Sequence, residues 1–245
     1  MIRQIRFEKR VIILLAAVSG MIGYIYLTPP VSQSSLAAQV GIETGLRGST
    51  EVYLQRFALA FVLLGVVPAL GARICGFRLR DLGLRAPQLP FAPAWLAAAV
   101  AAGAVIGLAG LGSPAVADYY PYDPGLLERV SGNGAWPFVA HAAGYFFLYY
   151  LPWELLFRGV LIFPLIEAPI ESATATGKTF FLACFQVIPS SLLHFGHPAA
   201  ETVGAVFFGF FAAWVTLRTR SIVPVLLLHA AAGIFLDLAI VLSTG

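Results

Sequence analysis

Glu154, Arg158, His194, His197, His229 and Asp237 stand within or at the edges of strongly apolar stretches. FLYYLPWELLFRGVLIFPLI carries Glu154 and Arg158, FFLACFQVIPSSLLHFGHP carries His194 and His197, and SIVPVLLLHAAAGIFLDLAIVL carries His229 and Asp237. An ionisable side chain in hydrocarbon costs at least about 2.5–3.5 kcal/mol on insertion scales, so such groups are usually retained for a function. One carboxylate with two imidazoles suits the activation of water. A glutamate in an apolar pocket becomes a better base near neutral pH, and histidine can orient the water or donate to the oxyanion on a peptide carbonyl.

Glu154 and Arg158 are four residues apart on a predicted helix, so they share a face and can pair. At 1.5 Å per residue, Glu154 lies roughly 17 Å, His194 about 22 Å and His229 about 12 Å into their spans. These depths cluster near the middle of the bilayer. Helices alone fill a membrane, so a wet cavity between the three segments is required, and Pro152 and Pro189 are placed to open it. The supporting candidates are weaker. His197 falls in a turn before Pro198 and reads as structural. Glu201 can answer His197 or cap the following helix. Asp237 can steer substrate, bind His194 or His197, or serve as a structural partner. His141 falls on a different helix face from Glu154 and reads as a core histidine. Zinc is an alternative occupant, with Glu154, His194 and His229 as three ligands and an open position, but no HExxH is present and the leading expectation is no cofactor.

The elements that position these residues follow from composition. The chain has 245 residues, 59% hydrophobic and 11% charged, against about 25% charged in soluble domains. Its fold class is therefore all-α: a polytopic membrane helical bundle of about seven transmembrane helices, read as one integral membrane domain over 1–245. Candidate spans are roughly 11–28, 53–75, 93–112, 136–165, 179–197, 202–217 and 221–243. The long loop 113–135 is expected to cap the bundle from outside, and segment 32–51 to lie on the interface. Cys75 and Cys184 read as small buried hydrophobes. Basic residues flank apolar segments and form no groove with interleaved aromatics, so the charge pattern points to the lipid bilayer and to no nucleic acid; the water-activating group adds a membrane-associated protein or peptide as the expected substrate. The positive-inside rule places the N-terminus, with Arg3, Arg6, Lys9 and Arg10, in the cytoplasm and the C-terminus outward.

Three motifs carry a family resemblance. Glu154-Leu-Leu-Phe-Arg158-Gly159, Ser191-Leu-Leu-His194, and Leu217-Arg-Thr-Arg-Ser221-Ile-Val-Pro224 leading to His229-Ala resemble those of the CPBP family, the CAAX-protease and bacteriocin-processing enzymes. The resemblance covers roughly 136–240, the expected catalytic core, and Asp81-Leu-Gly-Leu-Arg85 fits the loop that precedes it. It implies an intramembrane endopeptidase in a bacterial inner membrane. Glu154 would be the base, His194 its water partner, His229 an oxyanion donor and Arg158 the orienter of the glutamate helix. The chain departs from the family pattern at three places. Trp153 stands where the first of two glutamates is common, Gly233 where asparagine is common, and Ser190 where phenylalanine is common. The stretch around Gln186 to Glu201 resembles a bacterial branch with a single glutamate after tryptophan, in which Glu201 or Asp237 replaces the missing polar groups. Because one residue is about 100° of helix rotation, Glu154 can serve only if its helix is turned or the site rearranged. Glu154→Gln is expected to abolish cleavage and leave folding intact. The alternative is a catalytically inactive family member acting as a membrane binding, immunity or maturation factor. A small transporter is disfavoured because no repeated halves are present.

Overall fold

A computed structural model describes residues 7–28, 50–88, 90, 92–166 and 175–244. The expected interfacial segment 32–51 lies mostly outside these residues, as do Arg3, Arg6, Glu43 and Arg47. The described chain is helical, with no strand among the described residues. In order, its helices are α1 (Phe7–Leu27), α2 (Tyr53–Ile74), α3 (Ala92–Gly110), α4 (Pro114–Tyr119), α5 (Leu126–Asn133), α6 (Trp136–Leu165), α7 (Ala175–Leu192), α8 (Ala199–Thr219) and α9 (Val223–Thr244). Six of them, α1, α2, α3, α6, α8 and α9, are long and apolar enough to cross a membrane. The protein is a multi-pass, all-α membrane bundle. The expected fifth span is α7. Lys178, Gln186, Pro189, Ser190 and Ser191 interrupt its apolar character, and its helix ends at Leu192 rather than 197. It still packs lengthwise against α8.

Burial follows helical period. In α1 only Ile13, Ala17, Gly20 and Tyr24 are buried, three or four residues apart on one face. Ile12, Leu15, Val18, Ile22 and Ile25 are left exposed, as lipid-facing positions require. Helix α3 is apolar all round and meets α9 at Gly103 and Gly107. A Cβ at these positions would lie 2.2 Å from the Leu228 carbonyl oxygen and 2.1 Å from that of Ala232. Small residues let backbones approach this closely in lipid, where the packing of helices is not driven by water.

Helix α6 is the most enclosed, touching α1, α2, α7, α8 and α9. The loop 113–135 is not irregular throughout. It folds into α4 and α5 and packs aromatic rings onto the bundle: Tyr122 stacks on Phe57 and Tyr145, and Tyr119 lies against His197. Asp123 pairs with Arg129 and accepts the Gly125 amide, which ties the loop to itself. At the other end, the Asp81–Arg85 loop clasps the α8–α9 turn. Ile222 N–H donates to the Gly83 carbonyl (2.9 Å), and Arg85 Nε to the Arg220 carbonyl (2.8 Å).

Candidate active site

The backbone of α6 winds as a π-helix at Tyr145–Tyr150 and again at Leu155–Val160, with Glu154 between them. The Leu151 amide bonds back to Phe146 and that of Leu161 to Leu156, five residues each. A π turn takes up one extra residue, and such turns recur at functional sites. Everything beyond it is rotated by about 100° relative to an unbroken α-helix. That rotation equals the offset created by Trp153 standing ahead of a single glutamate.

Turned this way, Glu154 has no exposed surface. Its Oε1 lies 2.6 Å from His229 Nδ1 on α9. Its Oε2 faces Arg158 Nε at 3.3 Å, an ion pair in which neither atom makes a formed hydrogen bond. Arg158 is likewise buried, and its guanidinium lies over the Phe157 and Phe208 rings at 5.9 and 5.5 Å. The His229 side chain keeps 21% of its surface, so the imidazole is the open side of this pair.

His194 is not in a helix interior. It follows the end of α7, in a turn closed by Gly196 and Pro198. The last carbonyls of a helix lack amide partners, and His194 Nδ1 reaches the one at Ser190, 2.7 Å away. The ring stands edge-on to Trp153 at 5.3 Å, beside Glu154 in sequence. Glu154 and His229 therefore meet between α6 and α9, while His194, in the turn after α7, packs on the neighbouring Trp153 ring.

Residues 134–235 match the type II CAAX prenyl endopeptidase Rce1-like family, and the Glu154, His194 and His229 motifs all fall inside that range. This segment is similar to the CAAX proteases, and the match supports that family for it. No curated protein and no solved structure matches the chain.

The supporting candidates in and beside this Rce1-like segment sort themselves by contact. His197 Nδ1 meets Glu201 Oε1 at 2.9 Å, and Tyr120 Oη donates to the same oxygen at 3.1 Å. Glu201 thus ties the 113–135 cap to the α7–α8 turn and sits in the first turn of α8, where a carboxylate is favoured by the helix dipole. Asp237 binds neither His194 nor His197. Its Oδ2 lies 2.9 Å from His141 Nε2 and its Oδ1 accepts the Tyr122 amide at 3.1 Å, all in the core. The pair lies inside the bundle and gives the buried His141 its partner. Asp237→Asn is expected to lower stability by about 1–3 kcal/mol, the cost of a broken buried polar pair. Cleavage per folded molecule should change less than about threefold, well short of the 10²-fold minimum for a lost acid–base group. Thermal unfolding and specific activity of the same sample decide this.

Trp153 fills the place of the absent first glutamate as a buried ring packed on Tyr149, Phe157 and His194. Gly233 has a different consequence. A Cβ there would lie 1.8 Å from the Tyr150 hydroxyl oxygen, so the space left by a missing side chain holds that hydroxyl. The Tyr150 ring is 4.8 Å from His229. Tyr150 was not singled out from sequence. Its one signal was its place one turn before Glu154. Neither Glu201 nor Asp237 supplies this group.

Among the described residues no three His, Cys, Asp or Glu side chains are gathered to hold a metal ion. His229 Nδ1 lies against Glu154 and His194 Nδ1 against Ser190, so Nε2 is the ring nitrogen each has left for a ligand.

Proposed function

We propose that this protein is an intramembrane peptidase of a bacterial inner membrane. It hydrolyses a peptide bond in a membrane-associated protein or peptide, with water activated by the Glu154–His229 pair. The observation that carries the reading is the 2.6 Å contact joining a buried carboxylate on α6 to a partly open imidazole on α9. Counting α7 as a span, the N-terminus is cytoplasmic and the C-terminus, with the 113–135 cap, faces outward.

The carboxylate accepts the Nδ1 proton of His229, which leaves Nε2 as the acceptor toward substrate. His194, whose Nδ1–H is given to Ser190, likewise offers Nε2. A water whose two hydrogens are held by these nitrogens presents its lone pair to a peptide carbonyl. As the C–O bond forms, one proton passes to His229 Nε2 and Glu154 stabilises the imidazolium. The Tyr150 hydroxyl is the neutral donor available to the oxyanion. His229 then returns the proton to the nitrogen as the C–N bond breaks, leaving an acid and an amine. The base is thus the imidazole, and the glutamate acts through it.

His229→Ala is expected to lower cleavage of a membrane-anchored peptide by about 10²–10⁴-fold. Glu154 keeps Arg158, so the variant should stay folded. Mass spectrometry of the products reads the first, intrinsic fluorescence on heating the second. Wild-type rates from pure His229→Ala protein would end the proposal. The complete burial of Glu154 favours one rival, an inactive member that binds a membrane peptide. Stable co-purification of a peptide that is never cut would support that rival.

A further inference from the structure

Arg220, between α8 and α9, has φ 54°, a left-handed backbone that is unfavourable for any residue with a Cβ and is usually given to glycine at a helix end. Its side chain is exposed and makes no hydrogen bond or ion pair among the described residues, so the bundle gains nothing from arginine at this place. The turn is held firmly against the Asp81–Arg85 loop. Arg85 Nε donates to the Arg220 carbonyl, the Gln88 amide to that of Thr219 (2.8 Å), and Ser221 Oγ to that of Arg85. This clasp gathers Arg85 and Arg220, with the exposed Arg218 two residues earlier. Among the described residues no carboxylate answers the three. Asp81 faces Arg80 and accepts the Arg78 amide. Like charges held together repel unless an anion joins them. Large apolar side chains also stand exposed at this end of the bundle: Ile74, Leu79 and Trp214, the last one helical turn before Arg218.

We propose that Arg85, Arg218 and Arg220 form a site for the phosphate of an anionic phospholipid, with Trp214 against its acyl chains. The inference is independent of the peptidase reading. A guanidinium offers paired donors that match two phosphate oxygens. Arg85, its Nε bound to the turn, still presents both terminal nitrogens. Two features favour a lipid over a free phosphate. The cations are bordered by exposed apolar side chains, which a soluble anion cannot use. Tryptophan and arginine together also mark the boundary between membrane and water. On the orientation proposed above, this end faces the cytoplasm, where the leaflet surface is negative and attracts basic segments. The left-handed Arg220 costs the turn stability and places a cation at headgroup level.

The test titrates the whole protein, in neutral detergent, with short-chain phosphatidylglycerol, short-chain phosphatidylcholine and inorganic phosphate. Native mass spectrometry reads the bound lipid. Wild type should bind phosphatidylglycerol at least about tenfold more tightly than phosphatidylcholine. Arg220→Gly and Arg218→Gln should each weaken phosphatidylglycerol about fivefold, the share of one arginine near an anionic surface. Arg73→Gln removes an exposed cation at the same end but outside the clasp. It should change binding by less than about twofold, because solvent screens a separate exposed charge. In phosphatidylcholine nanodiscs Arg220→Gly should melt above wild type, since glycine relieves the left-handed backbone. Adding phosphatidylglycerol to the nanodiscs should narrow that difference. The site is overturned if wild type shows no preference for phosphatidylglycerol, or if inorganic phosphate competes at the same concentration. An Arg73→Gln loss equal to that of Arg220→Gly overturns it too, leaving only diffuse surface charge. So does an Arg220→Gly protein that melts below wild type in phosphatidylcholine, which would give the side chain to the fold.

Discussion

Glu154→Gln should lower peptide cleavage by about 10³–10⁴-fold, and it should also destabilise the protein. The first effect is that of removing the carboxylate that orients and charges a histidine base. The second comes from Arg158. Glutamine preserves the shape at position 154 but leaves a buried guanidinium without its counter-ion. Breaking a buried pair from one side costs about 3–5 kcal/mol. The expectation that this substitution spares folding therefore does not survive the burial of both partners. Adding Arg158→Met removes the orphaned charge. The double variant should regain near wild-type stability, because replacing both members of a buried pair is often neutral. It should stay inactive. Cleavage at the wild-type rate by pure Glu154→Gln protein excludes the mechanism. A double variant no more stable than the single one would show that the ion pair is not what holds α6 in place.

Gly233→Ala should damage both packing and chemistry. Its Cβ would meet Tyr150 Oη at 1.8 Å and Cζ at 2.9 Å. The ring cannot swing away freely, since Tyr145 lies 4.4 Å and His229 4.8 Å from it. Overpacking of this kind costs about 1–3 kcal/mol, and a displaced Tyr150 disturbs the His229 ring. Activity should fall about tenfold or more, since small misplacements at a reacting centre can cost up to about 10²-fold. Tyr150→Phe removes the hydroxyl and should relieve part of the clash. A double-mutant cycle over Gly233→Ala and Tyr150→Phe should show coupling of about 0.5–3 kcal/mol. Strict additivity of the two would mean that the hydroxyl does not occupy this space.

Much of the site was legible beforehand because charge in an apolar stretch is conspicuous. Glu154, Arg158, His194 and His229 were all singled out on that ground; the structure joins Glu154 to Arg158 and His229 and sets His194 against Trp153. The partner choices of Asp237 and His141 were not legible. A helix face read from spacing says which residues are neighbours along one helix, and nothing of which residue on a distant helix faces them. His194 was placed inside a span because periodicity continues through Leu193, whereas the helix ends at Leu192 ahead of Gly196 and Pro198. The cap helices α4 and α5 were hidden by the prolines, glycines and tyrosines of the 113–135 loop, which read as irregular chain.

The amino-acid sequence alone determined that the chain is a bundle of apolar helices in a bilayer, because so few charges cannot cover a surface in water. It also determined which ionisable groups must find partners inside, since hydrocarbon offers them none. Only the tertiary structure decided who those partners are. The π turns in α6 rotate Glu154 onto His229, and the absent side chain at Gly233 admits the Tyr150 hydroxyl. Both depend on how helices far apart in the chain meet, where a one-residue change in winding or the loss of one Cβ resets every contact that follows.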